Sequence, residues 1–401
     1  MELADQLEAE LGRPLPGAAD QMPSVPLTRR GLVLFCLFIA LAGAFLYLVL
    51  PRVAGVGQAL HSLQGGDASW IAAALLFEVA SYAGYVFLFR TVFARESPRV
   101  DLAASYRITM ASLVATRLFA TAGAGGVALT AWSLRCAGVG RRIVASRLLT
   151  FLVLLYFVFA AALLACGVAL ATGVVPGGGP FMLTVVPALA AAGLFALTIA
   201  AALVPGDLER RLAHRSAGDG RVARWTAHAV AVPGLAAAGV HQALALARRR
   251  EVGLLGAPAW WGFDIAVLWA MFHAFGAAAP PVAVLVMAYF VGLLGNLLPL
   301  PGGLGGVEGG MIAALAAFGV ELNIALVAVL GYRAISFWLP TIPGLFAYFA
   351  LRRTVARWRA EQGMEPTGRF RRPAPCYALQ SEAGPVGARS VPETPPVRSA
   401  A

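Results

Sequence analysis

Residues 296–310 read Asn296-Leu-Leu-Pro-Leu-Pro-Gly-Gly-Leu-Gly-Gly-Val-Glu-Gly-Gly310, and they sit between two apolar runs. Two prolines and six glycines in so short a stretch forbid a regular helix. The one charge there is a carboxylate, Glu308. In a chain whose flanking runs are apolar enough to cross a bilayer, irregular backbone survives only when buried in protein or lining a wet cavity. A carboxylate at that depth is costly and marks a functional site by default. The segment therefore predicts a membrane protein with a broken, charged element near its centre.

Composition supports this class: 59% of residues are apolar and only 13% charged. Several uncharged runs approach the ~20 residues that span hydrocarbon. The net charge of +11 comes from arginine alone, since the chain has no lysine. These arginines lie in short loops beside apolar runs, where topology and anionic headgroups account for them, so nucleic acid is not an expected partner. Cys36, Cys136, Cys166 and Cys376 have neither disulfide-framework nor metal-ligand spacing. No cofactor or metal is expected.

Full spans are expected at 32–50, 69–89, 148–172, 181–204, 258–277 and 325–350. The first follows Arg29 and Arg30 and reads as an uncleaved anchor. Two regions, 102–138 and 282–319, contain a glycine-rich break followed by a helix too short to span, which predicts broken re-entrant hairpins. The fold class is thus an all-α polytopic membrane protein with about six spans and two such hairpins. The expected organisation is a disordered cytoplasmic segment over 1–30, a transmembrane domain over 31–355 and a disordered, basic, proline-rich cytoplasmic tail over 356–401. Residues 225–247 favour an interfacial helix over a span.

Basic loops at 90–101, 135–147 and 205–250, with the arginines after 350, are expected on the cytoplasmic side by the positive-inside rule. Both termini are then cytoplasmic, with the first hairpin opening from the cytoplasm and the second from outside. Gly123-Ala-Gly-Gly-Val127 matches Gly303-Leu-Gly-Gly-Val307 at four of five positions, and the short pieces end alike in Ala-Gly-Val139 and Phe-Gly-Val320. Opposite opening sides together with this likeness suggest an inverted repeat, about 69–204 against about 225–351, an arrangement common in transporters.

The stretch 296–344, including Tyr-Arg-Ala-Ile-Ser-Phe-Trp-Leu-Pro340, resembles the flippase-like family that contains the transmembrane region of lysylphosphatidylglycerol synthases. The resemblance implies a lipid-translocating domain for anionic, aminoacylated or polyprenyl-linked lipids in the bacterial cytoplasmic membrane. About 50 residues follow the last span, too few for the soluble aminoacyl-transfer domain of the bifunctional synthases. No hydrolase or phosphate-loop motif is present, so the chain is not expected to be an enzyme and has no expected catalytic residue.

Glu308, Arg333 and Arg117 are the candidate substrate-binding residues. Glu308 could hold a cationic headgroup or a proton, pair with an arginine, or cap the following short helix. Arg333 and Arg117 could grip a lipid phosphate bidentately, or form ion pairs with Glu308, Glu78 or Asp264. Asn296, Pro299, Pro301, Gly302, Gly303, Gly305, Gly306, Gly309 and Gly310 are assigned to the second break and its close packing, and Gly123, Gly125 and Gly126 to the first. Glu78 and Asp264 are lone acids within spans; each could line a pathway, and neither has an identifiable partner. His273 reads as a packing residue, and Trp70, Trp260, Trp261 and Trp338 as interface anchors. Expected partners are a membrane phospholipid or lipid-linked substrate and anionic headgroups at the cytoplasmic face, with an envelope-synthesis enzyme as a candidate. The alternatives are an inverted-repeat transporter of a solute or ion, and a non-transporting partner of such an enzyme.

Overall fold

The computed structural model describes residues 65–118, 124–203, 237–297 and 303–361, and these contain helices and no strand. The anchor expected at 32–50, most of the 205–250 loop and both termini fall outside the described residues. Five helical segments are long and apolar enough to cross a membrane. They are α1 (Ala68–Phe93), α4 (Arg141–Ala171), α5 (Phe181–Leu203), α7 (Gly256–Ala274) with its 3-10 lead-in Val252–Leu255, and the final run Leu322–Glu361. The final run is not one regular helix. It is built from α10 (Leu322–Arg333), a π-helical turn (Ala334–Trp338) and α11 (Leu339–Glu361), and it extends past the domain boundary expected at 355.

Between these spans lie two pairs of shorter helices. The first pair is α2 (Leu102–Leu118) and α3 (Ala124–Cys136). The second is α8 (Val282–Leu294), which tightens into a 3-10 turn at Gly295–Leu297, and α9 (Gly306–Ala317). At ~1.5 Å per residue, α3 and α9 are roughly 20 Å long, well short of the ~30 Å hydrocarbon core. Their matching sequence ends have a common cause. Gly138 (φ 92°) and Gly319 (φ 88°) occupy the left-handed region that glycine alone adopts without strain. The amides of Val139 and Val320 reach back to Leu134 and Leu315, closing the same helix-stop motif.

The arms of each pair touch backbone to backbone. A Cβ on Gly126 would lie 2.6 Å from the Ser112 carbonyl oxygen, and one on Gly295 only 2.3 Å from the Gly306 carbonyl carbon. Such contact replaces the missing hydrophobic drive between helices in lipid with van der Waals packing.

The spine of the molecule is the α1–α7 pair. The Asp67 amide donates to Ala274 at 2.8 Å, and the Ser81 hydroxyl donates to the Trp260 carbonyl at 2.9 Å. The start of α1 thus meets the end of α7, and the two run antiparallel. Asp67 also caps α1 by accepting from the Ser69 hydroxyl and amide, which hold its carboxyl below the usual carboxylate range.

The rest of the packing is reciprocal: α2 lies along α11, the last helix of the second half, and α8 lies along α4, the corresponding span of the first. Helix α6, over 237–248, packs on α4 and α5: Gln242 Oε1 accepts from the Thr150 hydroxyl, and His241 Nε2 meets the Ala202 carbonyl. Leu76, Val79, Leu197 and Phe346 point away from the protein, as expected of a lipid-facing surface.

Candidate functional site: a charged cavity between the two hairpins

The site begins with a defect in the last helical run. Pro340 has no N–H, so the Ser336 carbonyl loses its α-helical donor. The backbone shifts into the π turn, where the Leu339 amide reaches the Ala334 carbonyl. Carbonyls exposed by such a shift need partners, because lipid supplies none.

Arg117, at the end of α2, supplies them. Its Nη1 donates to the Phe337 carbonyl at 2.7 Å and to the Thr341 hydroxyl at 3.0 Å. Its Nη2 donates to the Ser336 carbonyl at 2.9 Å and to the Tyr82 hydroxyl oxygen at 2.7 Å. The first hairpin is thereby tied to the broken helix of the second half.

Arg333, the last residue of α10, makes a different attachment. Its Nε donates to Glu308 Oε1 at 2.7 Å, and the side chains are only 11% and 15% exposed. The other carboxylate oxygen, Oε2, accepts the Gly305 amide at 2.7 Å at the start of α9. Glu308 therefore serves at once as helix cap and ion-pair partner. Both guanidiniums also approach the Phe337 ring, Arg333 at 4.4 Å from its centroid and Arg117 at 4.9 Å.

Beside this lies a buried acid pair. Asp264 on α7 accepts hydroxyl hydrogen bonds from Tyr289 of α8 and, at 3.2 Å, from Tyr332 of α10. Glu78 stands near it on α1, close enough for the two charges and that of Arg117 to interact. Glu78 is 3% exposed, and its Oε2 has no hydrogen-bond partner. The expectation that these acids stand alone is thus corrected: helices distant in sequence bring them together at the spine. Three carboxyl groups, Glu78, Asp264 and Glu308, share this cluster with two guanidiniums.

These groups flank a cavity of about 870 Å³ between the hairpins, within the range of small-molecule sites. Both arginines line it, with Glu308 held behind Arg333. Asp264, Tyr82, Tyr289 and Tyr332 make its spine-side wall polar, and Ser112 and Thr130, 2.8 Å apart, do so on the first hairpin. Leu152, Leu155 and Met311 supply apolar surface.

Of the residues assigned to the breaks, Asn296, Gly303 and Gly126 also line the cavity. A Cβ on Gly303 would stand 2.5 Å from Asn296 Oδ1, so the two pack directly across the second break. Gly305 (φ 84°) is the α9 cap, Gly306 and Gly310 face the other arm, and Gly309 faces open space. Gly125 lies in the first turn of α3. Gly123, Pro299, Pro301 and Gly302 fall outside the described residues.

Sequence reasoning missed the tyrosines, and it took two cavity-wall residues for interface anchors. Trp261 is buried, donates from Nε1 to the Leu155 carbonyl at 2.7 Å, and packs on Phe159; Trp260 packs on Tyr82 and Tyr85. A usable signal existed: Glu78, Tyr82 and Tyr85 fall on one face of α1, as do Trp260, Trp261 and Asp264 on α7. His273 stacks on Trp70 and meets Trp269 edge-on, away from the cluster.

Two comparisons bear on this architecture. Over 88 residues the chain is 38% identical to a UPF0104 membrane protein of Methanothermobacter thermautotrophicus, a match covering 22% of this chain and 25% of that protein. The chain therefore spans about a quarter of that relative's length in the match. The family model for the lysylphosphatidylglycerol synthase TM region matches residues 32–344, which include both hairpins, the spine and the π turn. The chain belongs to that family of membrane proteins.

Proposed function

We propose that this protein is a lipid translocase of the cytoplasmic membrane, moving an anionic, aminoacylated or polyprenyl-linked lipid without chemical conversion. The observation that carries the reading is the placement of two inward-facing arginines on one cavity between two broken hairpins. A lipid phosphate entering a low-dielectric interior needs cationic donors, and guanidinium offers them in bidentate geometry. Arg333 and Arg117 are the phosphate ligands in this reading, and Arg117 also ties four acceptors on neighbouring helices together. Glu308 orients Arg333 and offers a counter-charge to an aminoacyl group.

The hairpins are re-entrant from opposite faces in this proposal, and the halves form an inverted repeat with both termini in the cytoplasm. The antiparallel α1–α7 pair and the reciprocal packing of α2 with α11 and α8 with α4 support that relation. Alternate opening of the cavity would follow from rocking one hairpin against the other.

A second reading, an ion or solute transporter on the same frame, is favoured by the unpartnered Glu78 oxygen and the surplus carboxyl of the cluster. One reconstitution separates the two. Purified protein in vesicles is given fluorescent phosphatidylglycerol, and the fraction of headgroup shielded from an external reductant is followed. Wild type is expected to move the headgroup, with Glu308→Gln and Arg333→Ala slowed about 100-fold, as loss of a buried charged contact implies. Equal rates in all three would end the assignment of the site. Cation-dependent currents without lipid movement would transfer the function to the second reading.

A further inference from the structure

A second lined space lies outside the central cavity, where α11 leaves the membrane. It holds about 480 Å³ and is walled by Phe346, Phe349, Ala350, Arg353, Thr354 and Arg357 of α11 with Arg107 of α2. From Phe346 through Phe349 and Arg353 to Arg357 the α11 residues step by three or four, so they form one stripe on the helix. Arg107 is not loosely placed: its Nη1 donates to the Thr354 hydroxyl at 2.9 Å, and Thr354 in turn donates to the Ala350 carbonyl at 3.0 Å. This chain of hydrogen bonds holds a third guanidinium over the stripe.

The order of residues along the stripe fixes its depth. The run Leu322–Glu361 has 40 residues, so it is roughly 60 Å long at ~1.5 Å per residue, about twice the hydrocarbon thickness. Its apolar part ends at Leu351, and Arg352, Arg353, Arg357 and Arg359 follow. Phe346 and Phe349, 71% and 46% exposed, therefore lie at the edge of the hydrocarbon, with Arg353 and Arg357 one and two turns further out at headgroup level.

We infer that this groove is a binding site for one anionic phospholipid, with Arg107, Arg353 and Arg357 holding the phosphate and an acyl chain lying on Phe346 and Phe349. The shared chemistry is a phosphate monoanion or diester. The apolar floor, continuous with the cationic wall, selects the membrane lipid over a soluble phosphate. The site is distinct from the central cavity and holds whether or not the protein translocates lipid. The ordinary view of these arginines, a diffuse positive-inside surface, treats Arg352 as equivalent to its neighbours. The groove does not, because Arg352 is exposed but does not line it.

Native mass spectrometry of the full-length protein, titrated with phosphatidylglycerol against phosphatidylcholine, tests this. Arg353→Ala and Arg357→Ala are each expected to weaken phosphatidylglycerol retention about five-fold, while Arg352→Ala changes it by less than about two-fold. Phe346→Ser weakens retention of the lipid without changing the effect of added inorganic phosphate. All four positions are exposed on α11, and unchanged melting in detergent confirms that the variants fold. Equal losses in Arg352→Ala and Arg353→Ala would show diffuse attraction and overturn the site. Full displacement of the lipid by millimolar inorganic phosphate, with Phe346→Ser indistinguishable from wild type, would overturn the lipid as its occupant.

Discussion

The two hairpins use the same backbone device and opposite electrostatics. Both join two short helices across a glycine-rich stretch of sequence, both put their arms in backbone contact, and both end on a left-handed glycine. Around the second break the carboxylate and its guanidinium are both local, Glu308 at the start of α9 and Arg333 at the end of α10. The first has no carboxylate in its short arm, and its arginine reaches across the molecule to the carbonyls of the π turn. One hairpin is held by a bond within its own half, the other by a bond between halves. Arg117 is thus a brace between the two halves of the chain, whereas in the proposed function the Arg333–Glu308 pair is the element that a charged ligand exchanges. Glycine spacing alone would make the hairpins equivalent; the charges make them different.

The sharpest way to break this comparison is to remove the brace. Arg117→Ala leaves the Ser336 carbonyl with the longer Tyr82 hydroxyl contact at 3.4 Å and the Phe337 carbonyl with the Thr341 hydroxyl at 2.6 Å, and should cost about 4 kcal/mol through loss of several charge-assisted hydrogen bonds, each worth ~1.5–3 kcal/mol. Thermal unfolding in lipid nanodiscs would read this as a large drop in melting temperature, only partly restored by Arg117→Lys, since an ammonium cannot bridge the same carbonyls and Tyr82. Wild-type stability in Arg117→Ala would mean the arginine is not a brace.

Next in size is the local pair. Glu308→Ala removes both the cap and the ion-pair partner, and should cost about 3 kcal/mol. Glu308→Gln keeps an acceptor for the Gly305 amide and should cost about half as much. If Gln and Ala melted alike, the capping role would be dispensable.

Backbone contact predicts a smaller, positional effect. Gly126→Ala sets a Cβ 2.6 Å from the Ser112 carbonyl oxygen and should destabilise by about 2 kcal/mol, while Gly309→Ala, which meets open space, should be neutral or slightly stabilising. Equal melting temperatures for the two variants would remove the close crossing from the account.

The smallest effect belongs to the spine's cap. The Asp67 carboxyl is held below its ordinary value of 3.8 by Ser69, so its contribution is present above that value and fades as pH falls below it. Asp67→Ala should therefore melt lower than wild type at neutral pH, with the gap closing in acid. A gap independent of pH would point to packing rather than to the cap.

Much of this organisation was legible in the sequence, for identifiable reasons. Hydrocarbon imposes length and polarity on each span, so α1, α4, α5, α7 and the final run stand out as long, predominantly apolar stretches. Glycine and proline punctuate strongly enough to reveal the breaks, and the shared ends at Val139 and Val320 proved to be one helix-stop motif. What stayed hidden was tertiary. Nothing local says that Asp264 will meet Tyr289 and Tyr332, or that Glu78 will face it across an antiparallel helix. Trp260 and Trp261 look like anchors because composition carries no information about which helix face meets a cavity. The π turn has only Pro340 and Pro343 as local signs, and its real support, Arg117, lies 219 residues from Ser336 in sequence.

The central claim is that a lipid headgroup occupies the space between the hairpins. A phospholipid with a photoreactive headgroup, irradiated with the reconstituted protein and mapped by mass spectrometry, tests it most directly. Adducts are expected on cavity-wall residues such as Trp260 and Tyr289, and should be lost in Arg333→Ala. Adducts confined to the outward-facing Leu76, Val79 and Leu197, unchanged by Arg333→Ala, would contradict the account.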